Sequence, residues 1–202
     1  HPANTLSLHD ALPIFFYHIH ETSIRPRPLK VFLRWIVEIC SSNNIFVSHF
    51  LARAEGFSNV GGKVVYNSIP REMSSVAARH VYQPLPDGRF GVLMICSLKT
   101  YKGVNEFVQI ARLLRGHQVF KFTLILGTTQ TEVSDFFSST TIPDNLTIIF
   151  GCADVMPYYQ KASVLLSLSK PDEWVETFGL TILEGLSFGI PCIIPPDRKA
   201  HV

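Results

Sequence analysis

No apolar run in this sequence approaches the roughly 18 residues that a membrane-spanning helix requires. No positively charged, apolar segment opens the chain, so a secretion signal is not expected. Cysteine is scarce: Cys40, Cys96, Cys152 and Cys192 stand far apart with no CxxC pair. That spacing argues against a disulfide framework and against a cysteine metal site. Two of the four lie in apolar stretches, which reads as a reduced, intracellular protein using cysteine as a small hydrophobe. Charge of one sign is lacking too. Eighteen Lys and Arg face sixteen Asp and Glu, a net charge of +2 without a dense basic stripe, which excludes nucleic acid as the expected partner. Repeats and low-complexity segments are absent. What the sequence does hold is 47% hydrophobic and 17% charged residues over 202 positions, enough for a packed core and for about one and a third domains.

Both ends look foreign to the rest. Residues 1–14 (HPANTLSLHDALPI) follow no strand or helix period, and residues 5–14 resemble the translation of a common sequencing-adapter oligonucleotide. Residues 197–202 (DRKAHV) resemble the opposite adapter with one base dropped. Both segments are set aside as non-native. Residues 15–196 are read as a piece of a longer protein.

From residue 15 onward, short β-branched or aromatic runs alternate with amphipathic stretches. Strands are predicted at 15–19, 45–47, 63–66, 91–95, 122–126, 146–150, 164–168 and 191–194. Helices are predicted at 29–40, 104–114, 131–138, 156–161 and 180–188. In the second helix Val104, Phe107, Val108, Ala111 and Leu114 recur at steps of three and four, the stripe of a helix lying on a sheet. Such alternation predicts an α/β fold with a parallel, doubly wound sheet. Residues 69–88, with Pro70, Pro84, Pro86 and Asp87-Gly88, read as a linker, giving one domain at 15–80 and a second at 81–196.

The densest chemical signal is PDEWVETFGLTILEGLSFGIPCIIPP, residues 171–196. Glu176 and Glu184 flank seven residues across a loop-to-helix junction. Thr177 is placed to cap the helix, Gly179 to free the backbone at its entrance, and Leu180, Leu183 and Leu186 to supply a buried stripe. A helix starting there aims unpaired N–H groups and a positive dipole end beyond the sheet's carboxyl edge, which suits a diphosphate. Taken alone, Glu184 also reads as a solvated helix residue and Glu176 as a cap.

The surrounding motifs decide between these. In order, they are VSHF (47–50), VVYNSIP (64–70), SLKTYKGVNEFVQIARLL (97–114), LILG (124–127), IIFG (148–151), YYQKASVLLSLS (158–169) and ETFGLTILEGLSFGIPCIIPP (176–196). Together they resemble the family-4, GT-B-type retaining glycosyltransferases, over about nine-tenths of the chain outside the adapter-like ends. The resemblance implies a GT-B-like α/β fold of two Rossmann-like parallel-sheet domains, here the end of the acceptor domain and most of the donor domain. It implies transfer of a sugar from a nucleotide-sugar to a saccharide or lipid-linked acceptor with retention, in bacterial surface polysaccharide or glycolipid synthesis. Glu184 would take the ribose hydroxyls of the nucleotide, and Glu176 would face the transferred sugar. Phe178, Gly179 and Leu180 would offer backbone N–H groups. Lys102 would neutralise the departing diphosphate, although a lone lysine there also reads as a surface residue. His20, in HIHE (18–21), falls where the family places a histidine beside the sugar. A metal held by His18 and His20 lacks a third ligand, and a core or capping histidine is the other reading. No cofactor and no metal are expected.

Two departures bear on activity. Cys96 and Ser97 stand where many relatives carry Gly-Arg, leaving Lys99 to substitute as a point charge without bidentate geometry. The glycine-rich turn expected after residue 196 is replaced by DRKAHV, so the fragment itself is expected to be inactive. The rival readings are a nucleotide-sugar epimerase and a non-catalytic nucleotide-sugar-binding or scaffold subunit. The expected location is cytoplasmic. Arg25, Arg27, Lys30 and Arg34 suggest peripheral contact with the inner membrane face, or simply a solvated helix face.

Overall fold

The computed structural model describes residues 15–20, 24, 26–57, 61–82, 85–173 and 178–196. The chain forms two compact units that divide between Asn67 and Ser68.

The first unit runs β1 (Phe16–Ile19), α1 (Arg27–Cys40), β2 (Asn43–Phe46), α2 (His49–Glu55) and β3 (Gly62–Val64). Its three strands are parallel in the order β1-β2-β3. Pro26 precedes α1 and a proline occupies the first turn, where a missing N–H costs nothing. The helix stops where the Ser41 hydroxyl donates to the Val37 carbonyl at 2.6 Å. Helix α2 was not anticipated, because seven residues are too few to show a period. Its start is fixed by Ser48, whose hydroxyl accepts from the Leu51 N–H at 3.2 Å. Among the described residues, Ile19, Val37, Phe46, Val47 and Leu51 are the buried apolar residues of this unit.

The second unit runs α3 (Arg71–Ala77), β4 (Phe90–Cys96), a 3₁₀ turn (Thr100–Lys102), α4 (Val104–Leu113), β5 (Phe120–Leu126), α5 (Gln130–Phe136), β6 (Leu146–Phe150), α6 (Met156–Tyr159), β7 (Val164–Leu166), α7 (Leu180–Ser187) and β8 (Cys192–Ile193). Five parallel strands lie in the order β6-β5-β4-β7-β8. Apolar residues cover both faces. Val92, Met94, Phe122, Leu124 and Leu126 meet Val104, Phe107, Val108 and Ala111 of α4 on one side. Leu93, Ile125 and Leu165 meet Met73 and Ala77 of α3, Tyr159 of α6, and Phe188 and Ile190 on the other. Two-sided burial explains the continuous apolar runs of β4 and β5. The fold is the α/β, doubly wound arrangement that the strand–helix alternation predicts.

Part of the segment read as a linker is instead structure. Residues 71–77 form α3, which belongs to the second unit because Met73 and Ala77 are buried in its core. The proline-rich composition of 69–88 hid a helix of seven residues that starts just after Pro70.

Candidate functional site

The strand order of the second unit reverses at β4. The chain steps from β4 to β5 and β6 on one side, then returns to place β7 and β8 on the other. At such a switch point the loops leaving neighbouring strands diverge and open a crevice beyond the carboxyl ends. A cleft of about 230 Å³ lies there, lined at the end of β4 by Cys96 and Ser97, after β7 by Ser167 and Ser169, by Lys102, and by Phe178, Leu180 and Thr181.

Local sequence builds each wall. The 3₁₀ turn closes with the Lys102 N–H on the Lys99 carbonyl at 3.0 Å. Gly103 follows with φ +79°, and a Cβ there would overlap the Leu168 carbonyl and side chain, so only glycine lets the turn press against the β7 loop. The Lys170 N–H donates to the Tyr101 carbonyl at 2.8 Å, and the Lys170 ammonium reaches Glu106 of α4 at 3.1 Å, joining the two loops. That carboxylate is the main reason the Lys170 pKa is raised. On the opposite wall, α7 sits close to β7 because Gly185 offers no side chain. A Cβ at 185 would stand 2.7 Å from the Leu165 methyl.

The electrostatics of the cleft are set by Lys102 against neutral walls. Burial pushes the Cys96 thiol up to about 12 although the Lys102 charge pulls the other way, so Cys96 is a protonated wall and not a thiolate. Ser97 is exposed at the rim. No side chain caps α7 among the described residues, and its first N–H, that of Leu180, is not available to a ligand as expected but donates to the Phe178 carbonyl at 3.0 Å.

Of the residues singled out from sequence, Ser97, Lys102, Phe178 and Leu180 meet in this cleft. Gly179 caps α7 with φ −77°, ψ 78°, an ordinary negative φ. The backbone freedom that the sequence reading gives Gly179 is therefore not drawn on, since its φ is not in the left-handed region. Gly179 matters instead because a Cβ would crowd the Ile182 side chain at 2.7 Å. Lys99 is exposed and does not line the cleft. Its charge acts on Glu132, whose carboxylate closes the capping box of α5 with Thr129. The substitution of Lys99 for a phosphate-binding arginine therefore has no support in its position. Glu176 and Thr177 lie outside the described residues. Glu184, one turn into α7, is not among the residues that line this cleft, and its carboxylate accepts the Tyr159 hydroxyl at 2.6 Å. The sequence reading missed Tyr159, because nothing in YYQK says which tyrosine is buried.

His20 belongs to the first unit. Its Nε2 stands 3.1 Å from Nδ1 of His18, and the rings are 4.1 Å apart. Both line a second cleft with Lys30, Arg34, Glu55 and Phe57. Slight desolvation of an exposed ring, and then the neighbouring His20 ring, hold the His18 pKa below its ordinary value. Among the described residues no three His, Cys, Asp or Glu side chains converge as metal ligands. Lys30 and Arg34 do not form a solvated basic face: both clamp the buried Glu55, at 2.5 and 2.8 Å.

Comparison with known proteins gives the family and the fold. The glycosyl transferases group 1 family matches residues 79–198, more than half of the chain and nearly all of the second unit. The chain belongs to that family. Solved structures of similar fold include Anabaena Alr3699/HepE in complex with UDP and glucose, at 17% identity and TM-score 0.66, covering 90% of this chain and 52% of that one. A glycosyltransferase from Rickettsia africae aligns at 16% and 0.64, covering 89% and 51%. Sucrose-phosphate synthase from Thermosynechococcus elongatus aligns at 14% and 0.61, covering 89% and 49%. The chain thus spans about half the length of these structures. At this identity the likeness is one of fold, and that fold is GT-B-like. No curated protein matches the sequence.

Proposed function

We propose that a protein carrying this chain transfers a sugar, a hexose, from a nucleotide-sugar to a saccharide or lipid-linked acceptor with retention of configuration, as family-4 enzymes do. The reading rests on the cleft at the β4/β7 switch point, where Lys102 and the uncapped start of α7 converge in a chain of the glycosyl transferases group 1 family. In this reading the diphosphate lies between the Lys102 ammonium and the first-turn N–H groups of α7 that follow Leu180, which stabilise the negative charge that grows as the sugar–phosphate bond breaks. Those groups take the place of a metal. Glu184 holds the ribose hydroxyls, and Glu176 faces the sugar. The first unit, with His20, is the acceptor side, and the second is the donor side. The process is bacterial surface polysaccharide or glycolipid synthesis at the cytoplasmic face of the membrane.

The test is turnover of a panel of nucleotide-sugars by the full-length protein, with and without crude lipid-linked acceptor. Nucleotide release that rises with acceptor supports transfer and names the donor. Epimerised nucleotide-sugar without acceptor overturns it in favour of an isomerase. Saturable binding without turnover overturns it in favour of a binding subunit, with the absent arginine at Ser97 as the cause. In an active protein, Lys102→Ala lowers kcat about 100-fold, and Glu184→Ala chiefly weakens donor binding, about tenfold.

A further inference from the structure

Tyr159 closes α6, and its ring is wholly buried, 0% exposed. Phe188 stacks on it with ring centres 5.6 Å apart and planes 9° from parallel, and the His80 ring meets the Phe188 ring edge-on at 5.6 Å. A ring held this firmly carries its hydroxyl to a fixed point. A buried O–H must find an acceptor, and two are in reach. The Thr181 carbonyl is at 3.4 Å and the Glu184 carboxylate Oε2 at 2.6 Å, so the short, charge-assisted bond goes to Glu184. No other side chain among the described residues bonds to that carboxylate. Burial first, and Glu184 second, push the tyrosine pKa well up, so it stays a donor throughout the physiological range.

We propose that Tyr159 is a positioning residue for nucleotide recognition: its hydroxyl pins Oε2 of Glu184 and so presents Oε1 in one orientation to the two ribose hydroxyls. This rests on the donor-binding reading of Glu184 given above. A carboxylate on α7 would otherwise rotate freely about its last torsion, which is broad and roughly two-fold. With one oxygen tied inward, the free oxygen accepts from a vicinal diol without losing that rotational freedom on binding. The packing reason for a buried tyrosine, filling the core beneath α7, is met equally by phenylalanine. Only the hydroxyl serves Glu184.

The deciding measurement is calorimetric titration of the full-length protein with UDP, ADP and GDP and their 2′-deoxy counterparts. The wild type is expected to prefer one ribonucleotide over its deoxy form by about tenfold, the worth of a hydrogen bond to a charged group. Glu184→Ala abolishes that ratio, and Tyr159→Phe reduces it to about twofold. Phe188→Leu, which disturbs the same core but leaves the O–H in place, keeps the wild-type ratio. Tyr159→Phe retaining the full preference while Glu184→Ala loses it overturns the proposal and leaves the donor reading standing. Loss of preference in Phe188→Leu equal to that in Tyr159→Phe overturns it too, by reducing the effect to packing. A wild type with no ribose preference for any of the three nucleotides overturns the role of Glu184 and this proposal with it.

Discussion

The two units use the same α/β pattern and finish it differently. In the second, α4 and α5 cover one face of a five-stranded sheet, α3, α6 and α7 cover the other, and Phe107 and Phe122 pack edge to face at the centre. In the first, three strands carry two helices, and α1 turns Val37 inward while Val31, Phe32, Trp35 and Ile39 are exposed. Polar clamping takes a larger share there: Glu55, 7% exposed, holds Lys30 and Arg34, and Arg34 lies over Phe57 at 4.5 Å. The contrast shows where precise geometry is to be expected. A cleft proposed to hold a diphosphate needs walls whose rotamers are locked by packing, and among the described residues such walls are found in the second unit.

Perturbing each unit separates them, and the largest effect belongs to the second. Phe107→Ala leaves a cavity between α4 and β5 and is expected to cost about 4 kcal/mol by denaturant unfolding. Gly103→Ala follows at about 3 kcal/mol, from the left-handed φ and the overlap with Leu168, with loss of the cleft geometry on the Lys102 side. In the first unit, Glu55→Gln unpairs two partly exposed cations and is expected to cost about 2 kcal/mol, less than a fully buried pair. Hydrogen exchange should confine that loss to residues 15–67. Trp35→Ser on the exposed face of α1 is expected to change stability by less than about 0.5 kcal/mol, and a loss as large as that of Phe107→Ala would erase the contrast. The smallest effect is one of pH. The folded pKa of His18 lies below its unfolded value, so the unfolded chain binds more protons as pH falls through about 6.5, and the first unit loses stability there. Protection factors around β1, measured against the intrinsic exchange rate at each pH, should fall between about pH 7.5 and 5.5, and His18→Gln should flatten that slope.

The sequence made the second unit more legible than the first for a related reason. Where a helix lies on a two-sided sheet, as α4 does, periodicity announces it, and Val104–Leu114 was found with an error of one residue. Short elements carry too few turns for a period. Helices α2 and α3 went unseen, although Ser48 and Pro70 marked their starts. At the candidate site, motif order located the crevice and four of its lining residues, because loops after β4 and β7 and the start of α7 are fixed by chain topology. Contact partners are not. Nothing local says that the Lys99 charge acts on Glu132, or that Tyr159, not Tyr158, meets Glu184. Those follow from packing across more than twenty residues of sequence.

The central claim is that the diphosphate of a nucleotide-sugar sits at the switch point of the second unit. Hydrogen–deuterium exchange of the full-length protein with a saturating nucleoside diphosphate from the UDP, ADP and GDP panel tests it directly. Protection concentrated at residues 96–103 and 178–187, and lost in Lys102→Ala, is the predicted result. Protection that instead gathers around His18, His20 and Glu55, with residues 96–103 unchanged, would contradict it.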